Sequence, residues 1–142
     1  NNISAERVTM NMVNAILGRV HLASRIDLLN GELLRLVKEG VDYYNSLTDI
    51  KKKAYPYFPL GFARYGDSVV ACGLKYLNKI YLAVWNLKGE NKAIIPINEK
   101  VISVKVGYPT QLETKYSFNN GKLTVHFNEI TARLFEIELL RE

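Results

Sequence analysis

The fold of this chain is decided at Lys51-Lys52-Lys53-Ala54-Tyr55-Pro56-Tyr57-Phe58-Pro59-Leu60-Gly61, where the spacing of the apolar residues changes. Before this stretch apolar residues recur at helical spacing, and after it they alternate as they do in strands. Pro56 and Pro59 disfavour helix and hold the backbone extended. The sequence therefore predicts a helical front over residues 1–53, an aromatic junction over 54–66 and a β domain over 67–142.

Composition limits the kinds of site that the chain can build. The chain has 142 residues with 48% hydrophobic content, which suffices for one globular domain, or for a small domain and part of another. A single cysteine excludes an internal disulfide, and one cysteine with two histidines cannot build the usual zinc sites. We therefore predict no metal, no cofactor and a cytoplasmic, reducing compartment. Cys72 is interpreted as a buried thiol rather than a nucleophile.

The charge pattern argues against nucleic-acid and membrane partners. The formal net charge of +5 is spread along the chain, and the only basic run is Lys51–Lys53. We interpret that run as the solvated end of a helix, because no RNA- or DNA-binding motif accompanies it. No apolar run reaches the roughly 18–20 residues that span a bilayer. The chain begins at Asn1 without a start methionine, which suggests that its numbering begins within a longer protein.

The sequence of residues 1–53 predicts a helix, a short strand and a second helix. Ser4 can cap a helix that ends near Leu17, and a second helix is predicted over residues 30–50. Between them, residues 19–24 alternate in polarity, so a short strand is preferred over a continued helix. Such a strand has no sheet to join, which indicates a truncated α/β unit whose helices would expose a broad apolar face. The alternative is a plain helical hairpin packed on the β domain. Gly40, inside the second helix, suggests close packing against a neighbour.

The alternation of apolar and polar residues in the β domain predicts an antiparallel sandwich with one exposed face on each sheet. Its turn signals include Leu77-Asn78 and Asn119-Asn120-Gly121. Trp85 is interpreted as a core residue rather than part of an exposed sugar-binding surface, and His126 as a surface residue. The predicted strands are Ser68–Tyr76, Lys79–Leu87, Lys92–Ile97, Val101–Val106, Leu112–Phe118, Lys122–Phe127 and Ala132–Leu140.

Catalytic signatures are missing from the sequence. It contains no glycine-rich phosphate loop, no nucleophile elbow and no cluster of metal ligands. Its aspartates are not evidently paired with a second carboxylate, so no acid/base pair is assigned; they are Asp27, Asp42, Asp49 and Asp67.

Four segments carry a family resemblance: residues 12–29, 36–44, 56–61 and 81–86, the last reading Tyr81-Leu82-Ala83-Val84-Trp85-Asn86. They resemble the end of the catalytic barrel and the C-terminal β domain of α-galactosidases of glycoside hydrolase family 36. The resemblance implies the last elements of a (β/α)8 TIM barrel followed by an antiparallel β-sandwich. Residues 4–17 would be the seventh barrel helix, 19–24 the eighth strand and 30–50 the eighth helix.

The resemblance implies a parent enzyme that hydrolyses terminal α-galactosides, such as melibiose and raffinose, with retention. Its two catalytic aspartates would lie on earlier barrel strands, upstream of Asn1, and no residue here matches them. The isolated chain is therefore predicted to be structural and inactive. α-Galactoside oligosaccharides would bind through the parent barrel, and a homo-oligomer is left open.

Ser24 and Arg25 would follow the eighth barrel strand. Active sites of such barrels lie at the carboxyl ends of the strands, so these two residues are the candidate substrate-binding residues. The alternative for them is plain loop structure. Two other functions are kept for the chain: a carbohydrate- or subunit-binding β module, and part of a raffinose-synthase-like transglycosylase.

Overall fold

The computed structural model describes residues 4–17, 31–61 and 67–140. They form two helices and eight strands. In chain order these are α1 (Ala5–Leu17), α2 (Gly31–Lys53), β1 (Tyr55–Tyr57), β2 (Val69–Tyr76), β3 (Lys79–Asn86), β4 (Lys92–Pro96), β5 (Val101–Tyr108), β6 (Lys115–Asn119), β7 (Lys122–His126) and β8 (Thr131–Leu139). Each of the seven predicted strands has a counterpart within a few residues.

The strands make two antiparallel sheets. The larger has the order β1-β2-β3-β8-β5 and the smaller the order β4-β7-β6. Their facing surfaces share one buried apolar cluster, which includes Leu82, Ile95, Val125, Phe135 and Ile137. The predicted antiparallel sandwich is therefore confirmed.

The second face of the larger sheet is buried too, so the prediction of one exposed face per sheet is wrong for this sheet. Along β3, Ile80, Leu82 and Val84 face the smaller sheet, whereas Tyr81, Ala83 and Trp85 belong to a second apolar cluster with the helices. The helices remove this face from water, and β3 consequently reads as an almost unbroken apolar run. Trp85 is buried, as its interpretation as a core residue required.

Helix α1 begins and packs as its sequence predicts. The backbone N–H of Arg7 donates to the Ser4 hydroxyl oxygen at 3.1 Å, which satisfies one of the unpaired groups of the first turn. Its apolar stripe is buried against the sheet and α2; it comprises Val8, Met12, Val13 and Ile16. Among the side chains of residues 4–47 whose exposure the structure describes, Leu34 is the only exposed large apolar one, at 38%. The broad apolar face expected of a truncated unit does not occur there.

Helix α2 continues three residues beyond its predicted end, to Lys53. Lys51 is not simply solvated, because its ammonium donates to the carbonyl oxygen of Ile16 at 2.9 Å and lies over the Tyr44 ring. A cation at the carboxyl end of α1 complements the negative end of the helix dipole. Gly40 packs closely as predicted, since a Cβ there would lie 2.6 Å from Met12 Cε.

The junction after α2 is built into the larger sheet. Residues 55–57 pair with β2 as an edge strand, where Pro56 is tolerated because an edge strand leaves half of its N–H groups unpaired. The predicted strand start at Leu112 is wrong, since β6 begins at Lys115. Leu112 packs against the apolar cluster of the helices, and residues 110 and 111, which precede it, hydrogen-bond to Glu39 of α2.

The described helices lie on the larger sheet, as the helical-hairpin alternative requires. The predicted strand over residues 19–24, on which the barrel interpretation depends, lies outside the described residues.

Candidate functional site

The two predicted substrate-binding residues, Ser24 and Arg25, also lie outside the described residues. The helices that flank them in sequence are described, and polar contacts fix both helices to the larger sheet. These contacts occupy several of the carboxylates that could otherwise have served in catalysis.

The Glu6–Arg133 pair joins α1 to β8. Arg133 is 4% exposed, and its guanidinium donates to both carboxylate oxygens of Glu6, at 2.6 and 2.8 Å. The same guanidinium donates to the Thr114 hydroxyl oxygen at 2.8 Å, and the Thr131 hydroxyl donates to Glu6. Burial alone would raise the pKa of Glu6. The hydrogen bonds from Arg133 and Thr131 and the positive charge of Arg133 outweigh burial and hold this pKa below its ordinary value.

A second cluster joins α2 to the larger sheet around Glu136. Its carboxylate accepts a hydrogen bond from the Tyr43 hydroxyl at 2.8 Å, and lies 3.1 Å from the Lys79 ammonium and 3.8 Å from that of Lys105. Burial opposes ionisation of Glu136, but Tyr43 and the two lysines outweigh burial and lower its pKa. The pKa of Tyr43 is raised by burial and by the charge beside its hydroxyl.

Replacing Tyr43 with phenylalanine should lower the free energy of unfolding by about 1.5 kcal/mol, since it removes a hydrogen bond to a half-buried carboxylate. Tyr44→Phe is the matched control on the same helix, and we expect it to be neutral within about 0.5 kcal/mol. Urea unfolding at neutral pH measures both.

The pKa of Glu136 is lower in the folded state than in the unfolded state, so its ionised carboxylate stabilises the fold at pH values above the unfolded pKa. The effect of Tyr43→Phe should therefore shrink as acid protonates Glu136. Equal effects of the two substitutions would contradict this role of Tyr43.

Further contacts hold the helices to the strands and to the loop after β5. The Trp85 indole N–H donates to the side-chain oxygen of Asn14, and the Tyr108 hydroxyl donates to the backbone oxygen of Leu36 at 2.8 Å. Glu39 accepts hydrogen bonds from the backbone N–H and hydroxyl of Thr110 at 2.8 and 2.9 Å. The helices are thus attached at several separate points.

The pKa values of Glu6 and Glu136 disfavour a role as general acid for either carboxyl group. A general acid must hold a proton near neutral pH, whereas the pKa values of Glu6 and Glu136 lie below the ordinary value. Asp42 and Asp49 are exposed on α2. Among residues 4–17, 31–61 and 67–140, no group of three or more His, Cys, Asp or Glu side chains could hold a metal ion.

Cys72 and His126 do not form a catalytic site among the described residues. Cys72 is half-buried, and burial raises the pKa of its thiol, which disfavours the reactive thiolate. His126 is exposed on β7, as predicted.

A groove of about 790 Å³ lies at one end of the sandwich. Three segments that are distant in sequence form it: the β2–β3 turn, the loop between β4 and β5, and the end of β8. We call it the end groove; its lining comprises Lys75, Leu77, Asn78, Asn98, Glu99, Lys100, Leu139 and Leu140.

A polar contact fixes one wall of the end groove to the junction. Glu99 accepts a hydrogen bond from the Tyr57 hydroxyl at 2.9 Å and lies 3.3 Å from the Lys75 ammonium. Tyr57 belongs to β1, so the aromatic junction contributes to the groove by holding this carboxylate in place. Burial and the neighbouring Glu99 charge raise the pKa of the Tyr57 hydroxyl, which therefore stays protonated and donates.

Sequence reasoning located the Leu77-Asn78 turn but missed the groove. The only signal in the sequence was the leucine itself, because asparagine or glycine is the usual residue at such a turn position. The other lining residues approach one another only through the strand pairing.

No protein-family model matches this chain, and a search of curated proteins found no similar sequence. None of the described helices has the length and apolar character needed to cross a membrane.

Proposed function

We propose that this chain is the C-terminal part of an α-galactosidase of glycoside hydrolase family 36. In this proposal the parent hydrolyses terminal α-galactosides with retention in the cytoplasm, without a metal or cofactor. The chain supplies the end of the barrel and the β domain that supports it. Its role is structural, and the catalytic aspartates lie upstream of Asn1.

The observation that carries the structural role is the attachment of the two helices to the sandwich. Glu6 and Arg133 connect α1 to β8, while Tyr43 and Glu136 connect α2 to the same strand. A β domain fixed in this way to the helices on both sides of residues 18–30 can hold the segment that carries Ser24 and Arg25. The lowered pKa values of Glu6 and Glu136 support an inactive chain, because hydrolysis with retention needs one carboxyl group that keeps its proton and acts as general acid.

The first experiment tests the inactive chain and the active parent together. The purified 142-residue chain should not hydrolyse nitrophenyl α-galactoside, whereas the protein encoded with its upstream sequence should hydrolyse it. The upstream sequence should place two aspartates at the ends of barrel strands. Hydrolysis by the isolated chain that follows the protein through purification would refute the inactive role. A longer protein without α-galactosidase activity would refute the family proposal.

The second experiment tests Ser24 and Arg25 in the longer protein. We expect Ser24→Ala and Arg25→Ala each to lower kcat/KM about tenfold, which corresponds to about 1.4 kcal/mol of lost transition-state stabilisation. Ser46→Ala, at an exposed position of α2, is the matched control and should leave kcat/KM unchanged. Unchanged kinetics in the first two variants would make residues 24 and 25 plain loop structure.

A raffinose-synthase-like transglycosylase is the second candidate, because the resemblance covers both reactions. Product analysis of the longer protein with an added sugar acceptor distinguishes them. Free galactose indicates hydrolysis, and a galactosylated acceptor as the main product indicates transfer.

A further inference from the structure

The turn that borders the end groove contains a residue that the backbone alone would not select. Leu77 occupies the first position of the two-residue loop between β2 and β3, with a φ of 54°. Left-handed backbone favours glycine, asparagine or aspartate, since a branched side chain is strained there. Burial does not compensate for this strain, because Leu77 is 72% exposed.

A second hairpin with a two-residue loop carries residue types that tolerate left-handed backbone. The loop between β6 and β7 consists of Asn120 and Gly121, with φ values of 52° and 74°. These are the residue types that such loops prefer. The exposed leucine at position 77 therefore differs from the residue type found at the same place in the β6–β7 loop. Strained residues of this kind tend to occur at binding sites.

The leucine stands beside polar groups that have no partner inside the described chain. The side chains of Asn78, Asn98 and Lys100 line the end groove, and they make no hydrogen bond with the residues that the structure describes. Leu140, 53% exposed, provides a second apolar contact in the same groove. Carboxamides both donate and accept hydrogen bonds, and the ammonium group donates.

We propose that the end groove binds a neutral oligosaccharide. Sugar hydroxyl groups both donate and accept, which the carboxamides of Asn78 and Asn98 match, while Glu99 accepts and Lys100 donates. The C–H face of a pyranose ring would contact the exposed side chains of Leu77 and Leu140. The volume of about 790 Å³ lies within the roughly 300–1,000 Å³ typical of small-molecule sites.

The charges of the end groove favour a neutral ligand over an anionic one. Lys75 is paired with Glu99 at 3.3 Å, so Lys100 is the one lining cation without a counter-charge among the described lining residues. A phosphate or carboxylate ligand is usually held by several cations or by an arginine fork, which this lining does not contain. The proposal goes beyond the structural role proposed above, because it assigns ligand binding to the β domain itself.

Nuclear magnetic resonance titration of the 142-residue chain tests the site directly. Raffinose, melibiose and maltotriose are the probes, each added to about 20 mM, which would saturate a site with a Kd near 1 mM. We expect saturable shifts at the backbone amides of Asn78, Asn98 and Lys100 with at least one sugar. Absence of saturable shifts with all three sugars, or shifts confined to other parts of the chain, would overturn the proposal.

The decisive variant is Leu77→Asn, which gives this turn the residue type found at position 120. It should leave the melting temperature unchanged or higher, because asparagine tolerates the left-handed conformation. Affinity for the responding sugar should fall at least tenfold. A purely structural leucine would show no loss of affinity, and that result would also overturn the proposal.

Three further measurements separate the sugar site from its alternatives. Asn98→Ala should weaken binding without affecting strand pairing, since this side chain makes no hydrogen bond within the described residues. Ile94→Asn removes an apolar side chain, 49% exposed, from the outer face of the smaller sheet, and affinity should be unchanged. Saturation of the groove by inorganic phosphate, with no response to sugars, would make it an anion site. None of these readouts depends on hydrolysis, so failure here leaves the proposal for the parent enzyme intact.

Discussion

Replacing Glu6 with alanine is expected to lower the free energy of unfolding by about 3 kcal/mol, because it leaves the buried guanidinium of Arg133 without its counter-charge. The side chain of Arg133 is 5% exposed. Removing one partner of a buried ion pair lowers the free energy of unfolding by roughly 3–5 kcal/mol. We expect the lower end of that range, since Arg133 still donates to Thr114 and to the carbonyl oxygens of Ala132 and Glu113.

The control for Glu6→Ala is an ion pair that differs in burial. Glu113 and Lys115 are 3.9 Å apart with side chains 79% and 72% exposed, so Glu113→Ala should change stability by less than about 0.5 kcal/mol. The double variant Glu6→Ala/Arg133→Met removes both charges and should recover much of the loss. Urea unfolding of the three variants decides the matter. A Glu6→Ala effect as small as that of Glu113→Ala would show that the pair contributes little.

The pH dependence of the Glu6–Arg133 pair has a definite sign. The pKa of Glu6 is lower in the folded protein than its ordinary value of 4.5, so the pair stabilises the fold fully above the unfolded pKa. This stabilisation is lost as pH falls below about 4.5 and through the folded pKa. The difference in stability between the natural chain and Glu6→Ala should therefore narrow in acid. If this difference in stability stays constant as the pH falls to the folded pKa of Glu6, the stabilising role of the ionised carboxylate is contradicted.

Replacing Gly73 with alanine is expected to destabilise the fold by about 3 kcal/mol through a backbone clash. A Cβ at this position would lie 1.9 Å from the carbonyl oxygen of Tyr81 and 2.9 Å from the Cα of Leu82. Neither atom can move easily, because β3 is held between β2 and β8. Urea unfolding measures the loss, and hydrogen exchange should show weakened protection along β2.

Gly31→Ala is the matched control for Gly73→Ala. The nearest atom to its Cβ would be Arg35 Nη1 at 3.6 Å, an ordinary contact at the end of a flexible side chain. Stability should be unchanged or raised by up to about 1 kcal/mol, because alanine favours helix. Similar unfolding curves for the two variants would show that β2 can shift to accommodate the methyl group.

The two destabilised variants should differ in ligand binding if the end groove is a sugar site. Gly73 lies on β2, which continues into the turn that contains Leu77, so Gly73→Ala should weaken sugar binding. Glu6 contacts the beginning of β8, whereas Leu139 lines the groove at the other end of that strand. At about 3.3 Å per residue the two ends are roughly 25 Å apart, and Glu6→Ala should retain sugar binding.

Local patterns explain why much of the secondary structure was predictable. The Ser4 cap, the apolar stripe of α1 and the Asn120-Gly121 turn act within a few residues, and the structure places each of them as the sequence predicts. The errors came where a distant element intervened. Residues 112–114 were assigned to a strand, but β6 begins at Lys115 and Leu112 packs against the apolar cluster of the helices, next to residues 110 and 111, which hydrogen-bond to Glu39 on α2. The predicted sites at Ser24 and Arg25 rest on a family resemblance, which local patterns neither support nor oppose.

The sequence by itself determined the change from helix to strand at residues 51–61, the number of strands after it and the lack of a catalytic signature. Only the tertiary structure decided that the larger sheet is covered on both faces, that Glu6 pairs with Arg133 across 127 positions, and that the end groove exists. The physical reason is that periodicity and turn preference depend on neighbouring residues. A buried ion pair or a groove depends on which distant surfaces meet when the chain removes its apolar faces from water.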